Sequence, residues 1–430
     1  MRIGLVTGEF PPDQGGVGDF THHLAEALAA LGHDVHVVTG PLRADAPCAL
    51  RPAPCTLRPA TCDLRPATCD LRPAPCDVRP APCALRPAPC DLRPAPCTVH
   101  RAVPSWGWGC WREVLRIARQ ERLDVLNLQY QAAAYGMHPA VHFLPRRSAR
   151  PPVVVTFHDL RVPYLFPKAG PLRWQVVRML ARRADGVIVT NHEDYRRLER
   201  EIPREHLALI PIGSNIPPAP PPNYDRAAER ARWGVGPDDL LLGYFGFLNE
   251  SKGGEELIRA LAHLVADGVP AHLLMVGGRV GTSDPTNRAY AALIDGLISE
   301  LGLAERVHWT GYTDPPSVSA GLLATDVCVL PYRDGVSFRR GTLHACLTHG
   351  RAIVTTRPAL PLPEVRDGEN MLLVPPRDAG ALAEAVRRVY RDPALRARLE
   401  AGARALSAAF SWDRIARQTA AFLARMGGRG

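Results

Sequence analysis

Residues 331–350 read PYRDGVSFRRGTLHACLTHG, and what flanks them decides the fold. An apolar run, Asp326 to Leu330 (DVCVL), leads into a polar turn at Arg333-Asp334-Gly335. A helix is expected to begin near Arg340 and to stop at Gly350, where a second apolar run, Ala352 to Thr355, starts at once. Strand, polar loop, helix, strand is the unit that aims backbone N–H groups from a helix N-terminus at an anion. Arg339 and Arg340 add fixed positive charge at the same end. The loop is therefore expected to hold a phosphate of a nucleotide-linked substrate. On local pattern alone, a structural βαβ turn with solvated arginines is the competing account.

Outward from this unit the alternation repeats. Before it come strands at 240–245, 271–276 (ending in Gly277-Gly278) and 306–310, with helices at 253–267, 290–301 and 317–324. After it come a short strand at 371–374 and helices at 379–390 and 412–426. The first half has the same rhythm, with strands at 2–7, 34–39, 99–103, 124–128, 152–157, 186–190 and 207–212. Helices are expected there at 17–31, 111–121 and 173–183. The run Pro217 to Pro222 (PPAPPP) breaks the pattern. The division is a first domain at 1–215, a linker at 216–222, a second domain at 223–410 and a terminal helix at 411–430. Apolar strands alternating with helices predict an α/β fold with parallel sheets covered on both faces. Ligands of such sheets bind beyond the carboxyl ends of the strands, here in a cleft between the halves.

Composition narrows the function classes. With 430 residues, two domains are the default. No apolar run approaches the roughly 20 residues that span a bilayer. The first strand starts at Arg2 without a leader pattern, so a cytoplasmic location is expected. The net charge of +9 is modest, and aromatics do not interleave with basic clusters. Nucleic acid is disfavoured as a partner; an anionic substrate or peripheral contact with an acidic membrane surface suits the charge better. Eight of the eleven cysteines recur every seven residues from Cys48 to Cys97, in a tract reading C-x-L/V-R-P-A-P/T. Its prolines exclude a coiled coil, and without C-x-x-C spacing it does not read as a zinc site. Residues 48–98 are expected to be a disordered, low-complexity insertion carrying free thiols. A proline-rich docking segment is the alternative.

Several stretches resemble the retaining GT-B glycosyltransferases of the group-1, or family-4, type. They are RIGLVTGEFPPDQGGVGDFTHHLAEALAALGHDVHVVT at the start, IPIGSN at 210–215, LLLGYFGFLNESKGGEELIRAL, LLMVGG, HWTGYT and the 331–350 unit. The resemblance implies a GT-B fold of two doubly wound, Rossmann-like domains facing a cleft. It also implies transfer of a sugar from a nucleotide-sugar donor to an acceptor hydroxyl with retained configuration, without metal or cofactor. Donor contacts are implied at Gly246, Phe247, Lys252, Gly278, Tyr312, Asp334, Ser337, Phe338, Arg339, Arg340, Gly341 and Thr342. Catalytic roles fall on Lys252, Arg340 and the strand-end His158. Gly15, Gly16 and Asn191 are placed near the acceptor or diphosphate, although Gly15, Gly16 and Gly18 match a dinucleotide fingerprint poorly.

Two departures from the family pattern bear on chemistry. Gly246-Phe247-Leu248 replaces G-R-L before Lys252-Gly253, so the arginine of the phosphate pair is missing. Ser337 and Ala345 stand where the two glutamates of an E-x7-E motif belong. Arg340 is expected to replace the missing arginine opposite the diphosphate. The lost carboxylates keep two further functions open: a non-catalytic sugar-nucleotide binder or partner subunit, and a sugar-nucleotide epimerase or phosphorylase.

Overall fold

A computed structural model describes every residue except Gln14 and residues 43–96, 146–149, 161–171, 279–284 and 429–430. The cysteine repeat lies outside the described residues apart from its end: Cys97 is partly buried, and Thr98 already opens a strand.

The first half runs β1 (Arg2–Thr7), α1 (Gly16–Ala30), β2 (Asp34–Val38), β3 (Thr98–His100), α2 (Cys110–Gln120), β4 (Val125–Tyr130) and β5 (Val153–Phe157). It continues with α3 (Leu172–Arg183), β6 (Gly186–Val189), α4 (His192–Leu198) and β7 (Leu207–Leu209). The strands form one sheet in the order β3-β2-β1-β4-β5-β6-β7, and every pairing is parallel. Apolar strands suit this position because neighbouring residues serve opposite faces. Val6, Leu126, Leu128 and Val155 enter one core, while Ile3, Leu5, Val125 and Val154 enter the other.

The second half runs α5 (Arg226–Arg232), β8 (Leu240–Phe245), α6 (Gly254–Ala266), β9 (Ala271–Val276), α7 (Pro285–Glu300), β10 (Val307–Trp309), α8 (Pro315–Ala324) and β11 (Val327–Leu330). Then come α9 (Gly341–Thr348), β12 (Ala352–Thr356), β13 (Leu372–Val374), α10 (Ala379–Arg391) and α11 (Pro393–Ser407). Its sheet is again wholly parallel, in the order β10-β9-β8-β11-β12-β13. Three helices go beyond the sequence expectation: α4, α5 and α11. Each has a side-chain cap at its start, Asn191, Asp225 and Asp392 respectively, and α11 also has Pro393 in its first turn.

The last helix, α12 (Trp412–Met426), leaves the second half and packs on α1. Ile415, Ala416, Phe422 and Leu423 enter the same core as Phe20, Leu24 and Leu28. Trp412 Nε1 donates to Ser214 O at 2.8 Å, tying the helix to the end of the first domain. No helix among the described residues is long and apolar enough to cross a membrane.

Candidate functional site

At the end of β8 the chain turns through Gly246, whose N–H donates to Val276 O on β9 at 3.0 Å. A Cβ on Gly246 would stand 2.7 Å from Thr342 Cγ2 and 3.1 Å from Lys252 Nζ, so these residues meet at the carboxyl ends of β8 and β11. Gly253 permits that approach. Its φ is +71°, and a Cβ there would fall 1.9 Å from Pro331 O, so only glycine lets the Lys252 turn press on the 331–350 loop. Lys252 Nζ donates to Phe247 O at 2.9 Å. Burial, and then the charge of Arg340, push its pKa down to about 8.

The 331–350 loop is held by its own charges. Arg333 bridges Glu250 (2.9 Å), Glu255 (3.0 Å) and Glu256 (2.9 Å), pinning the loop to the start of α6. Arg340 precedes α9 as its cap residue, pairs with Asp334, and lays its guanidinium over the Tyr332 ring at 4.3 Å. Its Nε is buried without a hydrogen-bond partner among the described residues. The Tyr332 hydroxyl is 2.7 Å from Thr342 Oγ1, so the threonine side chain already has a partner. Gly341 opens α9, and a Cβ there would meet nothing within 4 Å.

Two of the loop residues expected at the donor are engaged elsewhere. Arg339 does not add charge to a ligand face: it is 8% exposed and bonds Glu193 of the first half at 2.8 Å. Because Asp334 offsets Arg340 as well, Lys252 and the start of α9 remain as the less compensated positive groups. Phe338 is a core residue, 4.7 Å from Phe410 between ring centroids, so it supports the loop from behind. Ser337 gives its carbonyl to the Arg340 N–H, and its neighbourhood faces a cavity of about 30 Å³ lined from both halves, by Asn191, His192 and Glu193 on one side and Asp334, Ser337 and Leu360 on the other.

The first-half residues are placed less uniformly. His158 ends β5, with its Nε2 2.9 Å from Gln129 Oε1 and the edge of Phe20 against its ring. The glutamine oxygen accepts, so Nε2 carries the proton and Nδ1 keeps its lone pair. Burial pushes its pKa down to about 3, so the ring is neutral at working pH. Asn191 is a helix cap: its Oδ1 accepts the Asp194 N–H at 2.9 Å. Gly15 packs against the chain's own Glu9, where a Cβ would lie 2.1 Å from the carboxylate. Glu9 Oε1 accepts the N–H groups of Val17 (3.1 Å) and Gly18 (3.3 Å), satisfying the start of α1 from within. Gly16 is open.

On the far side of β8, Phe247 is 40% exposed and Tyr312 70% exposed. They flank Gly278, where a Cβ would lie 2.9 Å from Phe247 Cε1 and 3.7 Å from Tyr312 Cβ. Glu9, Gln129, Tyr332, the bridging role of Arg333 and the pairing of Glu364 with His192 across the halves (3.0 Å) escape sequence reasoning. Glu9 could have been found, because an acid between β1 and a glycine-opened helix is a natural cap. The others pair across distances that no local spacing encodes.

Residues 15–213 match the family described as glycosyl transferase 4-like domain, and residues 239–392 match glycosyl transferases group 1. A D-inositol 3-phosphate glycosyltransferase of Nocardioides sp. is 34% identical over 206 residues, 45% of this chain and 43% of that protein. One from Streptomyces bingchenggensis is 28% identical over 240 residues, 55% of this chain and 52% of that protein. The chain thus spans about half the length of these curated relatives. An alpha-D-kanosaminyltransferase of Streptomyces kanamyceticus is 25% identical over 71% of this chain and 79% of its own. Among solved structures, Anabaena HepE in complex with UDP and glucose superposes with a TM-score of 0.70 at 19% identity, covering 99% of both chains. A sucrose-phosphate synthase from Thermosynechococcus elongatus gives 0.65 at 23% identity, covering 98% of both. At these identities the superpositions establish the fold.

Proposed function

Since the chain belongs to the group 1 glycosyl transferases, with the 4-like domain before the group 1 domain, we propose that it moves a sugar from a nucleotide-diphosphate-sugar donor to an acceptor hydroxyl. The observation that carries this proposal is the meeting of Lys252, Gly246 and Thr342 at the carboxyl ends of β8 and β11, with Arg340 capping α9 beside them. As the glycosyl–oxygen bond breaks, negative charge gathers on the departing diphosphate. The acceptor oxygen bonds the anomeric carbon, and the hydroxyl proton leaves with the nucleoside diphosphate. Preorganised donors facing the developing charge lower that barrier. The Lys252 ammonium and the first amides of α9 are those donors, and Arg340 supports them while Asp334 fixes its position.

The finer parts of the proposal rest on the family resemblance: a hexosyl group, retained configuration, and no metal at the diphosphate. Phe247 and Tyr312 are the apolar faces available to the nucleotide base. His158, neutral and fixed by Gln129, orients the sugar through its free Nδ1. The cytoplasmic face of an anionic membrane is the proposed setting, from the net charge of +9. A panel of nucleotide-sugars, read by nucleoside diphosphate release with and without acceptors, tests the activity. Arg340→Ala should raise donor KM and lower kcat together; unchanged kinetics would remove Arg340 from the site.

One observation favours a second function. Ala345 is 1% exposed inside α9 and Ser337 carries no charge, so neither glutamate of the family motif has a substitute at its own position. A sugar-nucleotide-binding protein without transferase activity would show nucleotide-dependent thermal stabilisation with no product from any donor in the panel.

A further inference from the structure

We propose that His36, His100 and Glu121 form a binding site for a divalent transition metal of the zinc class, on the edge of the first sheet and apart from the donor cleft. Their ligand atoms all lie within 4.8 Å of one another, and no other group of three His, Cys, Asp or Glu side chains does so among the described residues. His36 Nδ1 is 3.0 Å from His100 Nε2 and 4.0 Å from Glu121 Oε2. The other ring nitrogen, Nε2, is 3.2 Å from Asp34 Oδ1. A ligating imidazole commonly gives its second N–H to a carboxylate in this way, which fixes the tautomer and makes the first nitrogen a better donor. Two imidazoles and one carboxylate suit zinc, with a fourth position left for water.

The second half supplies an internal comparison. His272 Nδ1 and His308 Nε2 are also 3.0 Å apart, with rings stacked at 13°, against 12° for His36 and His100. There the second nitrogen of His272 meets Arg306 Nη1 at 3.0 Å, and no carboxylate completes the set. Paired histidines on adjacent strands are therefore not enough; Asp34 and Glu121 distinguish the first-half pair. Arg2 is the competitor, with Nη2 3.4 Å from His36 Nε2 and 3.7 Å from Glu121 Oε2. Its Nε holds Asp34 Oδ2 at 2.8 Å, so an ion has to draw only the partly exposed Glu121 carboxylate away. His36 sits midway along β2, opposite Gly4 of β1, and His100 ends β3 in register with Val38, so the cluster lies on the β2–β3 edge of the first sheet. The ligands come from β2, β3 and the residue ending α2, so the ion's role is to clamp the three-residue edge strand β3 to the sheet.

The test uses the full-length chain, reduced and stripped of metal, titrated with Zn²⁺ by calorimetry and with Co²⁺ by absorbance. Free thiols elsewhere in the chain compete for these ions, so the informative quantity is the difference between variants. Wild type should bind one equivalent more than His100→Ala and than Glu121→Gln, and the cobalt at that equivalent should lack thiolate charge-transfer absorption. Asp34→Asn should retain the equivalent at about ten- to hundredfold weaker affinity. His308→Ala should match wild type. Equal uptake by wild type and both ligand variants, or cobalt bound with a thiolate signature alone, would overturn the site.

Discussion

Lys252 is one of two lysines in a chain that otherwise uses arginine, and its environment explains why a titratable ammonium there has consequences. Burial and Arg340 push its pKa down to about 8, so it is charged below that pH and loses its proton as pH rises through it. Diphosphate release should then fall on an alkaline limb near pH 8, and Lys252→Arg should remove the limb because a guanidinium stays charged. Lys252→Ala should lower kcat about a hundredfold, the scale of losing one preorganised donor; a variant within threefold of wild type would exclude the lysine from the chemistry. Gly15 makes a separate prediction about stability. Gly15→Ala drives a methyl group into the Glu9 carboxylate, 2.1 Å away, and should cost about 1–3 kcal/mol, read as a lowered Tm.

Besides α12, the first turn of α4 relates the two halves. His192 meets Glu364 at 3.0 Å and Glu193 meets Arg339 at 2.8 Å, so one helix start contacts both the 331–350 loop and the segment after β12. Arg339 is nearly buried and Glu193 partly so, which screens the pair less than a surface ion pair. A double-mutant cycle on Arg339→Ala and Glu193→Ala should give a coupling of about 1–2 kcal/mol in unfolding free energy. Additive single effects would mean that the pair contributes no interaction energy. At this scale α9 was legible from sequence, because its end at Gly350 and the apolar runs beside it are local signals. The direction of its preceding arginines was not. Whether Arg339 faces a ligand or a glutamate 146 positions earlier depends on how the halves close.

At the scale of the molecule, two parallel sheets share a single chain whose end returns to its beginning, since α12 covers α1. The described core is continuous without the repeat: β2 ends at Val38, and the chain rejoins the sheet at Thr98. Replacing residues 43–96 by a short glycine–serine linker should leave Tm within a few degrees and donor turnover unchanged, because loop-closure entropy changes only slowly with length. A large fall in Tm would show that the tract packs against the described core.

By itself the sequence determined the two alternating halves and the strand–loop–helix unit at 331–350. Each is written in contiguous residues, as apolar runs, turn formers and helix stops, which act through the local backbone. Only the tertiary structure decided which charges remain available. Glu9 fills the start of α1, Asp334 holds Arg340, and Glu193 takes Arg339. An ion pair follows separation in space, and the closing of two domains brings together groups that no interval along the chain relates.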